Sequence, residues 1–349
     1  MRYPKPLQKG GTIGFIAPSF GCAIEPYQSR FEKAREIFES RGYRLYLGPN
    51  CFEGSGIGIS NTPELCAKEL NDTMTDPSVD AVITCGGGEL MCEVVPMIDF
   101  GAIAKAEPKW YMGYSDNTNY TFLSATLADT AAVYGPCAPA FGRVPWHPSL
   151  TDAMKILTGE IREVSGYGLW EKDEAPVAEG EEADPLAPYY VTEPLSLKYH
   201  LPTDSGDRAA KMHGRLLGGC LDILVNLCGT RYDRVAEFNE CYKADGTLWF
   251  LEACDLDPLS VRRALWSLRE AGWFDTATGF LVGRPRRYGE EMFGVDQIKA
   301  VTDILGNCEV PIILDADIGH LPPMMPIVCG SVADVTAEGD HLTVAHAYI

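Results

Sequence analysis

Three side chains of the kinds that cooperate in nucleophilic catalysis sit where α/β chains present reacting groups: Ser115, Glu252 and His320. Ser115 lies in Gly113-Tyr114-Ser115-Asp116-Asn117, between an apolar strand pattern and a helix pattern. A serine at that junction occupies a tight turn, and the backbone N–H groups that follow it, beginning with Asp116, can receive an oxyanion. Asn117 replaces the last glycine of a G-x-S-x-G motif, and the position equally suits an N-cap serine. A serine hydroxyl needs a general base, and the chain has six histidines. His147 falls in the loop PWHPS, His200 and His213 flank the start of the second half, and His341 and His346 occupy a terminal alternating segment, where structural or solvated roles are expected. His320 differs, because it follows the apolar strand PIILDADIG directly and precedes Pro322 and Pro323, which stiffen its loop. Glu252 falls in TLWFLEACD, an otherwise apolar strand where an ionised group costs free energy unless it has a partner. Two partners fit: backbone N–H groups at the strand end, or the ring of His320, whose tautomer the carboxylate would fix. Asp255 and Asp257 read as helix-capping acids before Pro258.

Other candidate chemistry is thinner. Gly86, Gly87 and Gly88 follow the apolar run DAVITC, but without G-x-G-x-x-G spacing they argue against a dinucleotide fingerprint. A non-catalytic nucleotide-binding protein built on that turn is the rival from another functional class. The cysteine and histidine spacings offer no metal set, so neither metal nor cofactor is expected. Twelve dispersed cysteines without C-x-x-C spacing read as reduced, mostly buried thiols. Trp170 is a candidate aromatic platform for a substrate ring, or a tryptophan packed on its own domain.

The elements that must position these residues alternate. TIGFIAPS reads as a short buried strand, SRFEKAREIFESRG as a helix stopped by Gly42, and TPELCAKELNDTMTD as a helix with Thr62 at its N-cap and Pro63 in its first turn. Strand, glycine turn and helix recur through KWYMGYSDNTNYTFLSATLAD. This alternation predicts a mostly parallel, flavodoxin-like sheet in an α/β N-terminal domain over residues 1–165, carrying the serine. From Gly166 to Pro194 the pattern dissolves into eight acidic residues, one lysine and several prolines, so residues 166–210 read as a linker or substrate loop. A smaller α/β C-terminal domain over 211–349 carries the glutamate and the histidine, and ends in an alternating hairpin turning at Gly339 and Asp340.

Composition bounds the partners. With 349 residues and 46% hydrophobic residues, two packed domains are the default. A net charge of −20 argues against nucleic acid and against anionic membrane surfaces. The N-terminal apolar stretch is broken by glycine and proline and lacks a signal-peptide core, so a soluble, cytoplasmic protein is expected.

Four stretches together make the chain recognisable: CGGGELMCEVVPMIDF; WYMGYSDNTNYTF with VYGPCAPAFG; LLGGCLDILVNLCGT with LWFLEACD; and DADIGHLPP. Over nearly its whole length the chain resembles the serine carboxypeptidase family of murein LD-carboxypeptidases and microcin C immunity proteins. The resemblance implies a triad of Ser115, Glu252 and His320, and a glycine turn in which Gly87 or Gly88 joins Asp116 in holding the oxyanion. It also implies a site across the junction of two domains and a homodimer. GYSDNTNYTF and YGPCAPAFG look closer to the immunity branch, whereas Gly88-Glu89-Leu90 departs from the aromatic and glycine common in LD-carboxypeptidases. Ala253 likewise stands where many relatives carry an acid. The substrate implied is an aminoacyl-nucleotide amide or related peptide conjugate, with murein tetrapeptide as the alternative. An ordinary histidine base would make activity fall on acidification with an apparent pKa of about 6 to 7.

Overall fold

Alternating strands and helices build the first half of the computed structural model, which describes residues 1–178, 180–203 and 206–349. The order is β1 (Thr12–Ile16), α1 (Tyr27–Ser40), β2 (Arg44–Leu47), α2 (Pro63–Thr75), β3 (Ala81–Thr84), α3 (Phe100–Lys105), β4 (Trp110–Gly113), α4 (Thr118–Leu127), β5 (Ala132–Tyr134) and α5 (Pro148–Thr158). Helix α1 buries Phe31, Ala34 and Phe38, a stripe at helical spacing that packs against the sheet. Helix α2 starts as its sequence predicts: the Thr62 side chain accepts from the Leu65 N–H, and Pro63 fills the first turn, where its missing N–H costs nothing. The five strands are parallel in the order β2-β1-β3-β4-β5, the flavodoxin-like order, with reacting groups expected beyond their carboxyl ends.

The second half continues with β6 (Glu163–Ser165), β7 (Leu169–Trp170), β8 (Glu193–Pro194), β9 (Lys198–His200), β10 (Ala209–Cys220), α6 (Leu221–Leu227), α7 (Val235–Cys241), β11 (Thr247–Glu252), α8 (Pro258–Glu270), β12 (Ala277–Gly283), α9 (Gln297–Leu305), β13 (Ile312–Ala316), β14 (Ile327–Cys329), β15 (Val332–Glu338) and β16 (His341–Ala347). Its sheet is mixed, ordered β6-β16-β15-β10-β11-β12-β13-β9. Strands β10 to β13 run parallel, and antiparallel strands close both edges. The hairpin β15–β16 buries alternate residues, as its sequence predicts.

Three placements were not visible in the sequence. Strand β14, from the C-terminal third, leaves the second sheet and pairs antiparallel with β5 at the edge of the first. Strands β6 and β9 are the two edges of the second sheet. The segment expected as a linker holds β9 and a small ribbon of β7 with β8; residues 179, 204 and 205 within it lie outside the described residues. All twelve cysteines are free of disulfides, and most are buried. Among the described residues, no helix is long and apolar enough to cross a membrane, and no cluster of three or more His, Cys, Asp or Glu could hold a metal ion.

Candidate active site

Strand β4 is buried along its length, Tyr114 beyond it is still extended, and at Ser115 the chain turns with φ 62°. A residue with a β-carbon held in that region stores about 1–3 kcal/mol, so the surroundings must over-determine it. They do. The Ser115 N–H donates to the Tyr134 hydroxyl (3.2 Å). The Asn117 amide donates to the carbonyls of Gly86 (2.8 Å) and Tyr114 (3.1 Å), and its oxygen accepts from the Tyr111 hydroxyl (2.6 Å). The buried Asp116 carboxylate accepts from the Ser19 hydroxyl (2.5 Å), the Met91 N–H (2.9 Å) and the Asn119 amide (2.9 Å), while burial pushes its pKa up to about 6. Asn117 thus ties the glycine turn after β3 to the serine turn after β4, which the glycine of a G-x-S-x-G motif could not do.

Gly87 lies directly against the serine. A β-carbon there would stand 2.9 Å from Ser115 Cβ and 3.1 Å from its Oγ, closer than atoms tolerate. Gly88 packs instead on Ser19 and the Gly58 carbonyl. Among the described residues, the backbone N–H groups of Gly87, Gly88 and Asp116 have no hydrogen-bond partner.

Glu252 ends β11 in the second sheet, with its side chain fully buried. His320 follows β13 through Gly319, whose φ of 106° suits only glycine; a β-carbon there would lie 2.7 Å from Glu252 Oε2. His320 Nδ1 stands 2.8 Å from Glu252 Oε2, and Nε2 stands 2.9 Å from Ser115 Oγ. The other Glu252 oxygen accepts from the Tyr134 hydroxyl. A carboxylate only accepts, so in the neutral imidazole Nδ1 carries the proton and Nε2 is left to accept from the serine hydroxyl. Of the two partners open to Glu252 from sequence, the structure supplies the histidine, together with a tyrosine.

Burial opposes charge on the imidazole, but the Glu252 carboxylate and the Cys254 thiol beside it prevail and push the His320 pKa up to about 10. Burial likewise disfavours the Glu252 carboxylate, yet the side chains of His320, Tyr134 and Cys220 hold its pKa below the ordinary value. The two groups therefore support each other's charge, and the expectation of a histidine titrating near 6 to 7 moves upward.

Trp170 is not gathered with these residues. It is 4% exposed, its indole N–H donates to the Pro194 carbonyl, the Arg284 guanidinium lies 4.8 Å over its ring, and Tyr288 meets it edge-on. Three of the remaining histidines serve locally: His147 caps α5 by accepting from the Ser149 N–H, His213 pairs with Asp334, and His346 is buried on Ser331. Tyr134 and Asn117 were missed in the sequence. The available signal was a tyrosine ending the apolar strand before Gly135-Pro136, since a buried phenol must find a partner.

Comparison with known proteins agrees with this frame. The model of the LD-carboxypeptidase N-terminal domain matches residues 13–135, and that of the C-terminal domain matches residues 213–335. The Escherichia coli microcin C7 self-immunity protein MccF is 24% identical, covering 99% of this chain and 96% of that protein. A probable murein peptide carboxypeptidase of Bacillus subtilis is 26% identical, covering 96% and 92%. The structure of MccF in complex with aspartyl sulfamoyl adenosine superposes with a TM-score of 0.80 at 20% identity over the whole of both chains, which shows a shared fold. With both domains of the family matched in order over well more than half of its length, the chain belongs to the LD-carboxypeptidase family of serine carboxypeptidases, peptidase family S66.

Proposed function

We propose that Ser115 is the nucleophile, His320 the general base and acid, and Glu252 the carboxylate that orients and stabilises the imidazole. The supporting observation is the unbroken hydrogen-bonded chain from Ser115 Oγ through the His320 ring to Glu252, across two sheets. Ser115 Oγ attacks the carbonyl carbon of a terminal amide while His320 Nε2 takes its proton. The oxyanion develops toward the free N–H groups of Gly87 or Gly88 and of Asp116, where each donor is worth about 3 to 4 kcal/mol. As the tetrahedral intermediate collapses, His320 returns the proton to the leaving amine, and a water activated the same way releases the acyl group from Ser115. Purified Ser115→Ala should lose hydrolysis by at least about 1,000-fold; turnover at the wild-type rate overturns the assignment.

The substrate we infer is an aminoacyl-nucleotide amide or related peptide conjugate. The sequence similarity to MccF and the ligand carried by its complex support it. The second reading, a murein tetrapeptide, is supported by the Bacillus subtilis relative. Incubating the enzyme with an aminoacyl sulfamoyl adenosine and with murein tetrapeptide in parallel separates the two. Tight nucleotide binding without hydrolysis of either favours the non-catalytic alternative. The homodimer implied by the resemblance is checked by sedimentation, and a monomer mass across the working concentration range overturns it.

A further inference from the structure

Behind the His320 loop, two buried polar side chains are left with unmet hydrogen-bonding atoms. Arg284 is 1% exposed; its guanidinium donates to the Asp315 carbonyl (2.8 Å) and to Asp317, yet its Nε–H has no partner among the described residues. Asp315 is 3% exposed; the Tyr288 hydroxyl bonds with its carboxyl group, but among the described residues its Oδ2 accepts no hydrogen bond. Its backbone is also strained, with φ 61° in the middle of a strand. Strain of about 1–3 kcal/mol and two unmet buried groups, each costing about as much again, are rarely kept without use.

Both side chains line one cavity of about 130 Å³, together with Trp170, Lys172, Glu193 and Tyr288, several times the space a single water requires. Lys172 is exposed and stands at its mouth. The charges narrow the occupant. Asp317 is committed to Arg284 and to the Tyr167 N–H, so the surplus carboxylate is Asp315, with Glu193 as a second. Two carboxylates disfavour a plain anion, while a guanidinium and an ammonium disfavour a bare metal ion. A group that donates to Asp315 Oδ2 while accepting from Arg284 Nε, within a few ångströms, answers both. The rings of Trp170 and Tyr288, at 5.0 Å, add an apolar wall.

We propose that this cavity binds a free α-amino acid, with its ammonium on Asp315 and its carboxylate on Arg284 Nε and Lys172. The strand that carries Asp315 runs on to His320, and the Glu171 N–H, next to Trp170, donates to the Pro322 carbonyl just past that histidine (2.7 Å). An occupant therefore sits against the loop that holds the imidazole. Amino acids are also what a carboxypeptidase releases, but the ligand class follows from the cavity and holds whether or not Ser115 performs the reaction above.

Titration calorimetry on the full chain with L-alanine, D-alanine, L-glutamate and L-lysine, with acetate and ethylamine as half-ligands, tests this. At least one amino acid should bind saturably with a Kd of about 1 mM or tighter, and neither half-ligand should match it. Asp315→Asn should weaken binding at least about tenfold, and Lys172→Ala, at the exposed mouth where folding is not at stake, several-fold. Absence of saturable binding at about 10 mM means that waters serve these atoms, and overturns the proposal. Binding that survives both substitutions and is displaced by a substrate analogue belongs to the Ser115 site and overturns it equally.

Discussion

Ser115 is held in a backbone conformation that its own β-carbon disfavours, and the strain belongs to the site because the turn is what aims Oγ at His320. Ser115→Ala keeps that strain, whereas Ser115→Gly removes it. Both variants should lack hydrolysis, and the glycine variant should unfold at about 1 kcal/mol higher stability than the alanine one, read from denaturant midpoints. Equal midpoints would mean the turn is relaxed. The His320–Glu252 pair makes a second prediction. The imidazole must be neutral to accept the serine proton, and its pKa is raised by the carboxylate, so kcat/KM should fall below a limb lying above the ordinary histidine value of about 6.5. In Glu252→Gln the raising charge is gone, so that limb should move to lower pH while the rate falls by about 1,000-fold or more. A limb that stays in place would deny the coupling.

Positioning at the scale of elements rests on one crossover. The chain leaves the second sheet at the end of β13, passes Gly319 and His320, and enters the first sheet as β14, so the histidine stands in the seam between sheets. The Thr118 hydroxyl at the start of α4 accepts from the Cys220 N–H at the end of β10 (3.0 Å), and Cys220 pairs with Glu252, which draws the serine helix and the glutamate strand together. Gly319→Ala would press a β-carbon on Glu252 Oε2 in a left-handed backbone. It should cost about 1–3 kcal/mol in stability and more than about tenfold in kcat. Gly87→Ala, against Ser115 but without a left-handed backbone, should spare the melting temperature far more than it spares kcat, which should fall about 100-fold. Loss of both in proportion would mark Gly87 as a packing residue only.

Across the whole molecule, both sheets share one continuous buried core, so the site does not depend on two bodies meeting transiently. Its terminal hairpin carries a pH liability remote from the chemistry. Burial pushes His346 down to about 3, its Nδ1 bonds with Ser331, and its Nε2 has no partner among the described residues. The unfolded chain takes up this proton below about pH 6.5 and the folded chain refuses it until about pH 3, so stability is lost as pH falls through that window. At pH 5 this loss amounts to about 2 kcal/mol, and His346→Asn should flatten the fall in melting temperature between pH 7 and 5. An unchanged slope would show that other groups govern it.

The sequence by itself determined the local grammar: hydrophobic period, glycine and proline punctuation, the Thr62 cap, the terminal hairpin, and the strand-end placement of Ser115, Glu252 and His320. Those signals are carried by neighbours within a turn or two of each other, which is why they could be read along the chain. What only the tertiary structure decided depends on residues far apart in sequence. Ser115 and His320 are 205 positions apart and Glu252 and Tyr134 are 118 apart, so no periodicity links them. The return of β14 to the first sheet, the clamp of Asn117 on Gly86, the burial of Trp170 under Arg284, and the upward shift of His320 all arise from tertiary contacts between segments distant along the chain. Desolvation and charge pairing act through space, and a linear pattern does not encode them.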